Sequence, residues 1–391
     1  MGRVSQYASV HFYRFLQTAG LGAFSIFLPV LLRERGLSFS QIGLLNAALT
    51  LVTLGVAPLW AAVADTLGRT KPFLVQATGV CFVSALVLPQ LFGFTQFLSV
   101  QTILALLTPP AEGLLVTAVF RAGGGQDHGA IYSGFALWGS LGWALGVASA
   151  GWIVNQVGTS GAFYYGGAWL ALATLWALRF EEPRGERASP QELGFRGAAA
   201  LLRARNLRLF LFSLLPLALA LNAAARFFPL RLTQAGGSPF LLGLVYAVPA
   251  LLEVPVFLGL RRISPRLPGR RPLLLWSATV YAFLALLLAG LSQPFALFWG
   301  YVLLAPLGWA PFITGCTALM AEMTPPTHWV TGQTLLTLWL WSVGGSLGPL
   351  AAGFLAEALG LAPLFGVLGA WYASSALLLL VWVKETPVSP G

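Results

Sequence analysis

Four charged side chains lie inside otherwise apolar stretches of the chain: Arg14, Glu112, Arg226 and Glu253. At the centre of a lipid bilayer, one such charge costs about 2.5–3.5 kcal/mol on insertion scales, so it needs a partner or a water-filled cavity. If these stretches cross a membrane, the four positions are therefore the first places to look for binding of a polar ligand or a proton.

Arg14 and Glu112 are predicted to lie at the same depth. Each lies about seven or eight residues from the same side of its apolar stretch. Because a helix rises about 1.5 Å per residue, equal residue counts mean equal depth. We expect an ion pair that opens to bind a polar ligand, and Gln17 is grouped with it as a substrate-binding residue; the alternative is a permanent structural pair. His11, on the same helical face as Arg14, is interpreted as an interfacial or packing residue.

Arg226 and Glu253 differ in predicted depth by about 10 Å, so a direct pair is not expected. Asn222 lies one turn from Arg226 on the same helical face, and both are candidates for substrate binding; Arg226 would hold an anionic group or, alternatively, a helix end. Desolvation favours the protonated form of a lone carboxyl. Glu253 is therefore the first candidate for a coupling proton and Glu112 the second, the alternative being a neutral or hydrogen-bonded structural carboxyl.

Other chemistry finds little support in the sequence. Cys81 and Cys316 lie in apolar runs and are interpreted as small buried side chains. The three histidines predict no metal cluster, and the chain has no phosphate-binding loop, so no cofactor and no ATP-driven step are expected. A membrane enzyme would require a nucleophile with a base or a metal cluster, and a ligand-sensing receptor is the other rival class.

Trp143 could stack on a ring or cover a cation, or else pack against lipid.

The composition indicates a membrane protein. Hydrophobic residues make up 57% of the 391 residues and charged residues only 9%, against about 25% charge in a soluble domain. Apolar runs of about 20 residues, each long enough to cross a bilayer, predict an all-α protein with twelve transmembrane helices. The predicted spans are 7–32, 39–63, 72–92, 96–120, 130–153, 162–180, 207–232, 239–260, 272–290, 294–320, 330–355 and 362–383.

Basic residues predict the orientation. Most of the 22 Lys and Arg residues lie in loops on one side of this arrangement, which the positive-inside rule assigns to the cytoplasm together with both termini. The same distribution argues against a nucleic-acid partner, because the charge is spread over short loops. The predicted domains are an N-terminal six-helix half (1–180), a cytoplasmic linker (181–206) and a C-terminal six-helix half (207–391).

The two predicted halves repeat each other, as in a duplicated transporter. At a shift of 200 the identical pairs are Phe27/Phe227, Pro29/Pro229, Leu32/Leu232, Gly36/Gly236, Ser38/Ser238, Gly43/Gly243 and Leu44/Leu244. At a shift of 202 they are Gly142/Gly344, Gly146/Gly348 and Gly151/Gly353. Small residues at a spacing of four predict close packing of helices, and such faces would let two halves slide against each other.

The segment AAVADTLGRTK resembles the loop between helices 2 and 3 of the major facilitator superfamily, with Asp65, Gly68, Arg69 and Lys71 at the motif positions. With the spans, the repeat and the long linker, the resemblance covers the whole chain. It implies two pseudo-symmetric six-helix halves and a secondary transporter that works by alternating access. It also implies that these four residues form a gate, in which Asp65 holds the halves together at the helix N-terminus near His328 and Thr331.

A narrower resemblance is to the lactose-permease and phenylpropionate-permease branch. The segment GSLGWALG (139–146) is similar to the fifth helix of that branch, which implies that Trp143 holds the position of its sugar-stacking tryptophan. Glu112 in PPAEG and Glu253 before Val-Pro are similar to carboxylates that the branch carries in helices 4 and 8.

These features together predict a function. We expect proton-coupled symport of a small organic solute, such as an amphipathic or aromatic carboxylate or a sugar-like compound, by a monomer in the cell (inner) membrane. The partners would be the solute, protons and the lipid bilayer. The alternative is a proton-coupled efflux antiporter for drugs or sugars.

Overall fold

The computed structural model describes the chain in segments. The described residues are 3–67, 69, 71–108, 115, 128–180, 201–263, 266–267, 269–325 and 329–383. Glu112, Gly68 and His328 lie outside these ranges.

The described residues form helices and no strands. The α-helices are α1 (Arg3–Ser25), α2 (Leu28–Glu34), α3 (Phe39–Leu67), α4 (Lys71–Val87), α5 (Gly93–Leu107), α6 (His128–Val157), α7 (Thr159–Ala177), α8 (Arg205–Gln234), α9 (Pro239–Ile263), α10 (Arg271–Gly290), α11 (Pro294–Met323), α12 (Trp329–Thr337), α13 (Gly344–Leu359) and α14 (Leu361–Trp382). The 3₁₀-helix Leu88–Gln90 extends α4, and the π-helix Leu338–Val343 joins α12 to α13. The prediction of an all-α protein is confirmed.

Within the described residues, ten helical segments are long and apolar enough to cross a membrane. Two of the twelve predicted spans are not among the ten: the fourth, where α5 is a shorter apolar helix, and the sixth, which corresponds to α7. The exact count of twelve stays a prediction. The first predicted span differs in detail, because the helix is interrupted after Ser25 and α2 begins at Leu28, next to Pro29, which has no N–H to donate.

The helices group into two compact units. The first contains α1, α2, α4 to α7, the part of α3 from Ala48 and the segment Ser238–Ala247. The second contains α8, α10 to α14, the segment Ser38–Ala47 and the part of α9 from Val248. The predicted boundaries 1–180, 181–206 and 207–391 stay predictions.

In each unit one long helix packs closely along two others. In the first unit α1 packs along α6 and α7, and α4 packs on α7. In the second unit α8 packs along α13 and α14, and α10 packs on α14 and α11. Glycine makes the close approach possible: a Cβ on Gly142 or Gly146 would collide with the carbonyl oxygens of Phe15 or Ala19. The predicted close packing of these small-residue faces is therefore observed.

Glycines with positive φ lie next to equivalent helix ends in the two units. Gly36 (φ 87°) and Gly236 (φ 84°) follow α2 and α8, and Gly158 (φ 84°) and Gly360 (φ 88°) precede α7 and α14. After Gly36 the N–H of Leu37 donates to the carbonyl of Leu32 at 3.0 Å, which is the bonding expected of a helix that ends in a left-handed glycine. The repeat in the sequence thus places the same helix ends at the same positions.

Candidate functional site

Arg14 lies on α1 and crosses the surface of α6. Its guanidinium is 4.9 Å from the centroid of the Phe135 ring, and its Nη1 donates to Oε1 of Gln17 at 3.4 Å. The side chain fits there because Gly139 has no side chain: a Cβ at that position would lie 2.8 Å from Nε of Arg14. Arg14, Gln17 and Phe135 therefore form one cluster, in which a cation meets an aromatic face.

His11 belongs to the same face of α1, as its spacing from Arg14 predicts. It is buried, and its ring meets Phe135 edge-on at 6.2 Å between centroids. Glu112 lies outside the described residues, so the predicted pair of Arg14 with Glu112 stays a prediction.

Trp143 lies on α6 against a glycine of α1. A Cβ on Gly22 would be 3.3 Å from Cδ2 of Trp143 and 3.1 Å from its carbonyl oxygen. The side chain is half-buried, so part of the indole remains accessible. This contact explains how α1 accommodates an indole, and the proposed role of Trp143 in stacking stays a prediction.

Asn222 lies on α8 in the second unit and bonds to the π-helix. Its Nδ2 donates to the carbonyl of Ala218 at 2.8 Å and to the carbonyl of Leu340 at 3.0 Å. Arg226 is one turn further along α8 and is half-buried. The amide of Asn222 thus ties α8 to a carbonyl inside the π-helix, a segment in which the regular i→i−4 bonding is interrupted.

Two tryptophans of the π-helix have different surroundings. The indole N–H of Trp339 donates to the carbonyl of Leu211 at 2.7 Å, and its ring meets Phe212 edge-on at 5.7 Å. Trp341 instead lies beside Trp309 of α11, with 6.0 Å between ring centroids and 50° between ring planes. Trp339 is therefore engaged in packing on α8, whereas 38% of Trp341 is exposed.

Glu253 lies in the middle of α9, inside a segment that is apolar enough to span a membrane. Its side chain is half-buried. Within the part of the chain that the structure describes, its carboxyl has no hydrogen bond or ion pair.

The predicted gate residues lie around the turn from α3 to α4. The backbone of Asp65 is in the last turns of α3, Arg69 is exposed, and Lys71 is the first residue of α4. Gly68 and the side chain of Asp65 are outside what is described, so the gate stays a prediction. At the corresponding turn of the second half, Arg270 forms an exposed ion pair with Glu322 at 3.2 Å.

Sequence reasoning overlooked Phe135, Trp309 and the π-helix. Phe135 gave no signal because one aromatic residue in an apolar run is ordinary packing material. Trp309 lies in the tenth span, and its nearness to Trp341 depends on how α11 packs. Among the described residues, no group of His, Cys, Asp and Glu side chains is placed to hold a metal ion.

The long apolar helices define a multi-span membrane protein, and comparison with known proteins identifies its class as a transporter. The model of the MFS_1-like family matches residues 7–367. The chain therefore belongs to the MFS_1-like family of the major facilitator superfamily. The prediction of a transporter of this superfamily, and not an enzyme, is confirmed, whereas the narrower lactose-permease branch stays a prediction.

Individual relatives carry different functions. The maltose permease of Geobacillus stearothermophilus is 30% identical over 283 residues, which cover 69% of this chain and 68% of that protein. The multi-drug resistance efflux pump PmrA of Streptococcus pneumoniae is 23% identical over 384 residues, covering 93% and 91%. The crystal structure of the nucleoside transporter NupG superposes with a TM-score of 0.84 at 17% identity, covering 99% of this chain and 100% of that one. That structural likeness shows the fold alone.

Proposed function

We propose that this protein is a proton-coupled symporter, which takes up a small organic solute across the cell membrane by alternating access. It would act as a monomer with both termini in the cytoplasm. Family membership supports a transporter. The proposal of proton coupling depends on one observation in the second unit, the carboxyl of Glu253.

Glu253 fits the role of a proton-binding group for physical reasons. A carboxylate in an apolar span is costly unless it is paired, and Glu253 has no ion pair with any described residue. Protonation removes that cost, and an accessible path to water on either side would let the proton leave. Binding and release of one proton per cycle would couple the pH gradient to the movement of the solute.

The side chains proposed to bind the solute are mostly polar. In the first unit these are Arg14 and Gln17, with Trp143 as a stacking surface; in the second they are Asn222 and Arg226. Arg14 or Arg226 could bind an anionic group, and Trp143 could stack on a ring. Glu112 is the second candidate for the proton, and Asp65, Gly68, Arg69 and Lys71 are the proposed gate.

Flux into proteoliposomes tests the coupling. Wild-type protein should accumulate its solute when the outside is acidic, whereas Glu253→Gln should lose this accumulation and retain exchange of labelled for unlabelled solute. Glu322→Gln is a matched control, because it removes a carboxyl that is exposed and paired with Arg270. Unchanged accumulation in Glu253→Gln would contradict the role of Glu253 and direct attention to Glu112.

Efflux in exchange for protons is the second candidate function, supported by the efflux relative. The two functions give opposite signs in one assay. A symporter concentrates solute in the compartment that protons enter, whereas an antiporter drives the solute out of that compartment. Measuring the direction of net flux with the gradient imposed both ways separates them.

A further inference from the structure

The amide of Asn222 has a fixed orientation. Its Nδ2 lies within hydrogen-bond distance of two carbonyl oxygens, those of Ala218 and Leu340. Carbonyls only accept, so the NH₂ group and not the amide oxygen must face them. Both N–H groups are therefore used, and Oδ1 accepts no hydrogen bond from the described residues. Since the side chain is only half-buried, this oxygen remains available to a donor from outside the protein.

Gly344 allows this arrangement. A Cβ at Gly344 would lie 3.0 Å from Nδ2 of Asn222 and 2.9 Å from Cβ of Ala218. With a larger residue there, the amide would be pushed away from the π-helix. The close approach of α8 to the start of α13 thus holds Asn222 against the peptide that joins Leu340 to Trp341.

Trp341 is the residue next to that peptide, and it presents an exposed ring. Trp339, two residues earlier in the π-helix, instead uses its indole N–H in bonding to α8. Trp341 is supported from α11 by Trp309 at 6.0 Å, a separation at which aromatic rings stabilise each other. A rigid apolar ring and a fixed hydrogen-bond acceptor are therefore attached to consecutive peptide units.

We propose that Trp341 and Asn222 form a binding subsite for one hydroxylated ring, such as a sugar or the ribose of a nucleoside. The apolar face of the ring would stack on the indole of Trp341, and a ring hydroxyl would donate to Oδ1 of Asn222. A deprotonated aromatic carboxylate without hydroxyl groups has no donor for this oxygen and is disfavoured. The inference rests on the proposed function, since it names the class of solute that the transporter binds.

Binding to purified full-length protein tests the subsite, with maltose and uridine as hydroxylated probes and benzoate as the carboxylate without hydroxyls. Wild type should bind maltose or uridine more tightly than benzoate. Trp341→Ala should weaken that binding by about tenfold, and Trp341→Phe, which keeps a ring, by less. Trp339→Phe is the matched control, because it changes an indole two residues away that is engaged in packing; it should leave binding unchanged.

The role of Oδ1 is tested by pairing Asn222→Ala with deoxygenated probes. Loss of one ring hydroxyl from the bound probe, as in 2′-deoxyuridine or 3′-deoxyuridine for uridine, should weaken binding to wild type several-fold. The same loss should have no effect in Asn222→Ala. A variant that merely misfolds would lose all binding, including that of benzoate, and the melting temperature would show it.

Several outcomes would overturn the subsite. The first is that wild type binds neither maltose nor uridine. The second is that Trp341→Ala binds these probes as tightly as wild type does. The third is that wild type binds benzoate as tightly as it binds maltose or uridine. Failure of the proposed function is a separate result: maltose or uridine bound through Trp341, but not accumulated under either pH gradient, would contradict proton coupling and leave the subsite intact. Conversely, proton-driven accumulation of a solute that has no hydroxylated ring would contradict only the subsite.

Discussion

The pair α1 and α6 of the first unit and the pair α8 and α13 of the second are packed in the same way but carry different chemistry. Gly142 and Gly146 bring α6 onto α1, and Gly344 and Gly348 bring α13 onto α8. Beside these glycines the large and small side chains are interchanged between the units. In the first unit, Trp143 of α6 lies against Gly22 of α1. In the second, Gly345 stands at the position equivalent to Trp143 (shift of 202) and Asn222 at the position equivalent to Gly22 (shift of 200). The comparison teaches that duplication preserves the helix spacing and leaves the side chains beside it free to diverge.

The second difference concerns arginines that bind the end of a neighbouring helix. Arg35 donates to the carbonyl of Pro89 at 2.5 Å and stacks on Phe92 at 4.3 Å. Arg231 donates to the carbonyls of Leu288 and Leu291 at the end of α10, and it is buried. Both arginines satisfy helix C-terminal carbonyls, but Arg231 is buried whereas Arg35 is half-buried.

The largest expected effect comes from filling the shared glycine spacing. Gly146→Val and Gly348→Val should each lower the free energy of unfolding by about 3 kcal/mol, because the added atoms meet backbone that cannot move aside. Thermal unfolding in detergent measures this. Gly55→Val and Gly259→Val are matched controls, since these helical glycines have nothing within 4 Å of an added Cβ. A loss in only one unit would show that the spacing is not used equally in both.

The arginines should give the next largest difference. Arg231→Met should destabilise the protein by about 2–3 kcal/mol, because the carbonyls of Leu288, which is buried, and of Leu291, which is half-buried, lose a charged donor. Arg35→Met should cost about 1 kcal/mol, since Arg35 is half-buried and water can replace it at Pro89. Melting temperatures of the two variants, compared with wild type, check the order. Equal losses would mean that burial of the arginine does not matter.

The exchange of large side chains can be tested by making the first unit resemble the second. Gly22→Asn alone should destabilise the protein by collision with Trp143, and Trp143→Gly alone should leave a void. The double variant should be more stable than the sum of the single effects predicts, by about 1–2 kcal/mol. A double-mutant cycle of unfolding free energies measures this coupling. Strict additivity would show that the two positions do not share one space.

The smallest expected effect is at the turn before α10. Arg270→Ala should change stability by about 0–1 kcal/mol, because its ion pair with Glu322 is exposed to solvent and ions. Comparing melting temperatures at low and high salt checks it: the difference between wild type and variant should shrink as salt rises. A loss that matches that of Arg231→Met would contradict the contrast between exposed and buried arginines.

Sequence reasoning was most successful where one residue type has one physical use. The glycines at 36, 236, 158 and 360 have positive φ, and those at 142, 146, 344 and 348 face a neighbouring backbone. Sequence reasoning was less informative for charges. The predicted partner of Arg14, Glu112, lies outside the described residues, so that pair stays a prediction, whereas the contact of Arg14 with the ring of Phe135 was not predicted. A guanidinium can be stabilised by an aromatic face, and the sequence does not say which face lies near.

The sequence by itself determined the class of this protein. Hydropathy, span length and the loop motif depend on residues that are close together in the chain, and the half-chain repeat depends on residues at a constant separation. Only the tertiary structure decided the surroundings of Asn222, Trp339 and Trp341. The carbonyl of Leu340, inside the π-helix, accepts a hydrogen bond from a side chain 118 residues away, and no local pattern records that bond. Interactions between distant residues are set by packing, and packing decides which tryptophan is buried against α8 and which presents its ring.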